Sequence, residues 1–421
     1  MCNNPKYSII CVAVATMLIG LWGELFAAAP TIIKMIYALL MYGSFILFPF
    51  TYYRNNDFCK VANYLILFLL IDSIILVAMS IYNTDEDMYL HGNKWLTLFL
   101  NEYTIFALFP PIYVFIASKA ENIALLLKII IIFILFAILL APIHTNNIAF
   151  LAIFIGVFLP YLKPKYIILF IISFAFSVLT GLGRVRMLMI VNLFLLSALI
   201  FVYLFNNRMF RIIFSIIVLT IPFIVFTPIL GLAKGEMSFF QTIMQYLAEN
   251  HYIDDTNDSR TFLYLEIAED IEKNHTWLLG KGAYCHYYSH YFSFNPGEDP
   301  VRLYVEVPFL YMLLRGGIIH IILYYSVFLL AIAKGLIYGK NRFVNIAAIL
   351  LVGWIFNSFI GDLNGCRLHH LGIFFLVGCC LSPKICSYTD TEIQLIVDEQ
   401  YEKYRIFKYY ILFKILQIRQ K

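Results

Sequence analysis

The sequence predicts an all-α polytopic membrane protein, with about twelve transmembrane helices and one large extracytoplasmic loop that carries an amphipathic helix. Three observations predict it. The chain of 421 residues is 62% hydrophobic and 13% charged, with a mean hydropathy of +0.82, a balance that excludes a soluble globule. Apolar runs recur along it, and a membrane helix needs roughly 20 such residues. One polar interruption, residues 233–303, breaks the series; its 71 residues hold eleven of the 26 acidic residues, four of the nine histidines and thirteen aromatics.

The apolar runs fall at 7–28, 32–53, 61–82, 97–117, 124–141, 148–162, 166–181, 187–205 and 212–232, then at 304–333, 344–361 and 368–382. They divide the chain into a bundle of about nine helices over 1–232, the loop over 233–303, about three helices over 304–382, and a tail over 383–421. Helices are the element to expect, because a β-barrel would alternate lumen-facing polar residues and this chain does not. The first run lacks a small-residue cleavage site and reads as an anchor.

Orientation follows from the short loops. Arg54, Lys60, Lys119, Lys163, Lys165, Arg208, Arg211, Lys334, Lys340 and Arg342 all fall on one side if the N-terminus is cytoplasmic. Asp85, Glu86, Asp87 and the long loop then face outward, and both termini are cytoplasmic.

Within the loop, Asp258 and Ser259 are N-cap types for a helix over 260–273. Its apolar face is Leu263, Tyr264, Ile267, Ala268 and Ile271, with Glu266, Glu269, Asp270 and Glu272 mostly on the other side, as in a helix lying over a membrane domain. Arg260 opens that helix against its dipole. After Gly280 and Gly282 come Tyr284, His286, Tyr287, Tyr288, His290, Tyr291, Phe292 and Phe294, a set that suits stacking and hydrogen bonding to a glycan and equally an interfacial aromatic belt. Asp254, Asp255 and Asp258 read as a solvated loop rather than a metal site, and the eight cysteines show no metal spacing, leaving a Cys285–Cys366 disulfide as the one conceivable bridge outside.

Some cations oppose the topology signal. Arg184 and Arg186 follow Gly181 and Gly183 at the outer end of a run, and Arg315 lies inside the tenth, where a charge costs roughly 2.5 to 3.5 kcal/mol on insertion scales. Guanidinium stays charged and donates in a planar fork, which suits a phosphate. Snorkelling of Arg184 and Arg186, and pairing of Arg315 with Glu306 or a backbone carbonyl, are the structural alternatives. Asp72, Glu102 and Lys128 are among the few other charges within runs.

Arg260 at the head of an amphipathic helix, Trp277-Leu278-Leu279-Gly280-Lys281-Gly282, and the stretch from Glu306 through Pro308 and Arg315 to Gly316-Gly317 together resemble the O-antigen and capsular polysaccharide polymerase (Wzy) family, within the O-antigen ligase and polymerase superfamily. Ligases of that superfamily typically show a His-Asn pair where this chain has Glu306-Val307, which moves the resemblance toward the polymerases. The resemblance implies a metal-independent, inverting glycosyl transfer without a cofactor, joining undecaprenyl-diphosphate-linked glycans on the outer face of the bacterial inner membrane. A chain-length regulator and a flippase are further candidate partners, with the basic tail as a docking surface for either as the alternative to membrane binding.

Such a reaction needs cations for the diphosphate leaving group and a base for the acceptor hydroxyl. Arg184 and Arg260 are expected to hold the diphosphate, with Arg186 and Arg315 as further contacts and Tyr288 and Tyr291 against the glycan. Glu306 is the expected general base and His290 the second choice; Glu306 is equally placed to pair with Arg302 or Arg315. The tail carries Lys403, Arg405, Lys408, Lys414, Arg419 and Lys421 at near-helical spacing, a basic amphipathic helix for an anionic leaflet. Nucleic acid is not an expected partner, because the basic residues distribute as a topology signal. A lipid-linked oligosaccharide flippase is the rival from another class, disfavoured by the lack of internal repeats.

Overall fold

The computed structural model describes residues 57–83, 98, 102–120, 122–124, 127, 155–183, 186–204, 207–230, 261–289, 301–303, 305–359 and 368–398, with isolated positions between 32 and 43. These residues are mostly helical. The helices are α1 (Lys60–Asn83), α2 (Glu102–Ile116), α3 (Pro164–Gly183), α4 (Arg186–Leu204), α5 (Arg208–Leu230), α6 (Thr261–Lys273), α7 (Pro308–Tyr338), α8 (Arg342–Asn357), α9 (Leu368–Leu381) and α10 (Pro383–Ser387). A two-residue antiparallel ladder joins β1 (Tyr287–Tyr288) to β2 (Val301–Arg302).

Among the described residues, α1 and α7 are long and apolar enough to cross a membrane. The expected runs at 7–28, 32–53 and 124–141 lie wholly or mostly outside the described residues; of the run at 148–162, residues 155–162 are described, and they end in a 3-10 turn at Leu159–Tyr161, where Pro160 interrupts the helix. Where the two overlap, the helices follow the apolar runs to within a few residues. The largest offset is at α7, which begins at Pro308, not 304, and continues to Tyr338. Proline suits the first turn of a helix because the amide it lacks is unpaired there anyway.

Small and apolar residues at three- and four-residue intervals make the seams. In α1 the buried positions are Ala62, Ile66, Leu69, Ser73, Leu76 and Ser80, while Val61, Tyr64, Phe68, Ile71 and Ile75 stay exposed. Large exposed aliphatics of the same kind continue on α3, α4 and α5, among them Ile171, Ile200 and Ile217. An apolar exterior on that scale is costly in water and suits hydrocarbon.

Helices α7, α8 and α9 pack against one another at the centre, α1 and α2 lie on the α7 and α9 side, and α4 and α5 lie on α8. The bundle therefore has two poles. At one, Lys334 Nζ meets Cys59 Sγ at 2.7 Å, Arg208 Nε donates to Leu336 O at 3.1 Å, and Ser382 Oγ donates to Ser118 O at 3.1 Å. Arg342 Nε lies 3.6 Å from Asp390 Oδ2, and Lys163 Nζ lies 3.4 Å from Asp398 Oδ1. Basic loop residues distant in sequence are thus gathered at one end. The opposite pole carries α6, the ladder and the segment between them.

Candidate functional site

The segment 277–284 is held by main-chain atoms. Gly317 has φ 62° and ψ −164°, which breaks α7 inside its length. In an unbroken helix the amides of Ile318 and Ile319 would reach the carbonyls of Leu314 and Arg315. Here Ile318 N donates to Trp277 O at 2.8 Å and Ile319 N to Leu278 O at 3.2 Å, while Leu314 O and Arg315 O accept from Lys281 N at 2.9 Å and Gly282 N at 2.8 Å. Four backbone groups released by the break are satisfied by one antiparallel strip of loop, which matters because each would cost several kcal/mol unpaired in hydrocarbon.

The far side of the strip rests on α1. Ala283 N donates to Leu76 O at 2.9 Å, Tyr284 N to Ser80 Oγ at 2.8 Å, and Asn83 Nδ2 to Lys281 O at 2.9 Å. Gly280, at φ 67°, has its α-carbon so close to α7 that an added β-carbon would sit 2.3 Å from the carbonyl of Arg315. Only glycine fits there.

Arg315 is buried at 4% exposure. Its Nη1 donates to Ala283 O, its Nη2 to Leu303 O at 3.2 Å, and its guanidinium lies 3.6 Å from the centre of the Tyr311 ring. Of the two sequence alternatives for this residue, pairing with backbone carbonyls is the contact seen. Arg315 ties together the two ends of the 284–303 stretch.

Above the first turn of α7, five side chains come together from α6, the ladder and their surroundings, the module expected to face outward, or outer module. The ladder sets Tyr287 opposite Arg302, and Arg302 Nη2 lies 3.8 Å from Glu306 Oε1. Glu266 of α6, buried at 8% exposure, accepts from Ser289 Oγ at 3.0 and 2.8 Å on its two oxygens. Tyr287 is fully buried beside them; burial pushes its phenol up to about 12, Arg302 opposes that rise, and the carboxylates of Glu266 and Glu306 add to it. The phenol is therefore a neutral donor at physiological pH. Glu306 differs from Glu266 in access, its side chain being 34% exposed, so it is the carboxylate of the pair that can touch a ligand.

Glu266 was expected on the solvated side of α6. It lies roughly 130° round the helix from the apolar face, at 100° per residue, and there the prediction of a separate face was sound. What buries it is a second surface: α6 packs on α5 and α7 with one side and against β1 with another. The apolar face itself is as expected, with Leu263, Tyr264, Ile267, Ala268 and Ile271 all buried. Tyr264 adds a hydrogen bond from its hydroxyl to Phe359 O at 2.8 Å, which pins α6 to the end of α8.

On its other face the ladder borders a cavity of about 430 Å³, lined by Asn83, Asp270, Asn274, Lys281, His286 and Tyr288 among others. Tyr288 is 49% exposed, and its ring meets that of His286 edge-on with centroids 5.3 Å apart. Lys281 Nζ pairs with Asp270 Oδ2 at 2.5 Å. Cys285 is a buried free thiol, pushed up to about 11 by burial against the opposing effect of Arg315 and Lys281.

Of the remaining expected site residues, Arg186 opens α4 at the end opposite the contact of Tyr203 with Arg342 (4.9 Å), which puts its backbone toward the pole that carries α6 and the ladder. Arg184, Arg260, His290 and Tyr291 lie outside the described residues, as does Cys366. One pair was not foreseen from sequence: His320 Nδ1 meets Asp72 Oδ2 at 2.6 Å between α7 and α1. Asp72 alone was visible as an intramembrane charge; only the fold supplies its partner. The chain matches no known family model, no curated protein and no solved structure.

Proposed function

We propose that this protein is a membrane-embedded glycosyltransferase that polymerises undecaprenyl-diphosphate-linked oligosaccharide units into O-antigen or capsular polysaccharide on the outer face of the bacterial inner membrane. The observation that carries the reading is the partly exposed Glu306 at the outer mouth of a bundle, held by Arg302 and set beside the buried Glu266 and neutral Tyr287. A base for an acceptor hydroxyl has to be accessible and positioned. Glu306 meets the first requirement with a side chain 34% exposed, and Arg302 lies beside it to orient it. In this reading Arg184 and Arg260, with Arg186, take the leaving diphosphate, and Tyr288 faces the glycan. Arg315 acts one step back, by tying Ala283 to Leu303 at the two ends of the stretch that carries Tyr288.

A second reading has its own support. A helix broken at Gly317, with an Asp72–His320 pair three residues beyond the break, is the kind of feature that transporters use near the midplane. Deletion of the gene in its native host separates the classes. Glycan stopping at one repeat supports the polymerase, full polymer retained on the lipid carrier indicates a ligase, and repeat units held inside indicate a flippase. Within the polymerase reading, Glu306→Gln is expected to lower chain elongation by about 10²- to 10⁴-fold. Wild-type ladder length in that variant would remove Glu306 as the base.

A further inference from the structure

At the pole opposite the outer module lies a cavity of about 430 Å³, walled by Lys334, Tyr338, Lys340, Leu381, Pro383 and Cys386 among others. We propose that it binds the phosphate headgroup of an anionic phospholipid. The proposal does not depend on the glycosyltransferase reading.

Depth is the first argument. α7 has 31 residues in two helical segments that meet at Gly317, and at 1.5 Å per residue these span at most about 46 Å, enough to reach across the roughly 40 to 45 Å of a bilayer with its headgroups. If the Pro308 end lies at one interface, Lys334 to Lys340 lie in the headgroup zone of the other. The 65% exposed Tyr338 and 40% exposed Ile337 suit that boundary.

Charge and shape are the second. The residues lining the cavity include two lysines and no carboxylate, and the rest of its wall is mostly apolar. An ammonium pair over an apolar wall matches a phosphate with a chain attached better than it matches a free anion. Glu392 does approach Lys340, but that exposed carboxylate already accepts from Thr389 N at 2.7 Å and Thr389 Oγ1 at 2.9 Å.

The wall is also built rather than loose. Lys340 N donates to Cys386 O at 2.9 Å, and Asn341 Nδ2 donates to Ile385 O at 2.8 Å and Tyr388 O at 3.0 Å, which locks α10 against the turn after α7. Thiol chemistry is a poor alternative use of the cavity. Burial holds the Cys386 thiol up to about 12, far from a reactive thiolate.

The experiment uses the purified full chain in phosphatidylcholine nanodiscs with increasing phosphatidylglycerol, reading the thermal midpoint of unfolding. The midpoint is expected to rise with phosphatidylglycerol, and Lys340→Gln should need about fivefold more of it for half the effect, while Lys340→Arg keeps the wild-type response. Lys340 is exposed, so this variant should fold even if Lys334→Gln, which loses the Cys59 contact, does not. An identical phosphatidylglycerol response in Lys340→Gln overturns the proposal. So does an equal shift from inorganic phosphate in phosphatidylcholine alone, which would make this a free-anion site.

Discussion

An intramembrane arginine costs roughly 2.5 to 3.5 kcal/mol on insertion scales, and Arg315 meets that cost with two carbonyls and the face of Tyr311. Lysine would keep the charge but not the fork that reaches Ala283 and Leu303 at once. Arg315→Lys is therefore expected to lower stability by about 1 to 3 kcal/mol, because buried acceptors lose a charged donor, and to loosen the outer module with it. Limited proteolysis checks this: new cleavage within 284–303 in the variant is the expected result. An unchanged pattern with lost glycan transfer would instead return Arg315 to substrate contact. The same contrast separates the two glutamates. Glu266 is occupied by Ser289, whereas Glu306 has, among the described residues, the loose Arg302 contact at 3.8 Å and a third of its side chain in the open.

The junction between the 277–284 strip and α7 depends on three glycines in left-handed conformations, Gly280, Gly282 and Gly317. A β-carbon on Gly317, at φ 62°, would lie 2.4 Å from the carbonyl of Leu278. Gly317→Ala should cost at least about 1 to 3 kcal/mol from backbone strain, with the overlap added. Gly43→Ala is the control, since among the described residues nothing lies within 4 Å of the carbon it would gain. Thermal unfolding in detergent should show a lowered midpoint for the first and an unchanged one for the second. These elements also show what could be read from sequence. Helix positions were legible because hydrophobic length and proline and glycine placement are local signals, as α1 and α6 demonstrate. The break in α7 was not, since Gly316-Gly317 in an apolar run is compatible with a straight helix until the strip that replaces its hydrogen bonds is known. Glu306 was legible as a polar residue at a helix mouth. The involvement of Glu266, Ser289 and His320 was not, because each is defined by a partner more than twenty residues away.

For the molecule as a whole, the two poles make a prediction about sidedness. Cys59 lies at the basic pole, where partial burial raises its thiol but the Lys334 ammonium and the backbone amides of Ala62 and Val61 outweigh it, leaving the group below its ordinary value and reactive. Lys273, exposed at the end of α6, marks the other pole. In intact spheroplasts a membrane-impermeant maleimide should label Lys273→Cys above the wild-type level, with Cys59 labelled only after permeabilisation. Labelling of Cys59 in sealed cells would reverse the orientation drawn from the basic loops. Cys285 should stay unlabelled in both states, since its buried thiol is held up to about 11.

The main-chain strip also constrains how the protein is made. Residues 60–83 leave the ribosome first, 277–284 some two hundred residues later, and 308–338 last. The strip is thus synthesised while one of its two supports is in place and the other does not yet exist. Its carbonyls and amides must wait in water until α7 has entered the bilayer, and only then can the break at Gly317 close around them. Docking of the outer module is accordingly a late step of biogenesis, and a chain truncated before residue 308 should insert its earlier helices yet leave this segment open to protease.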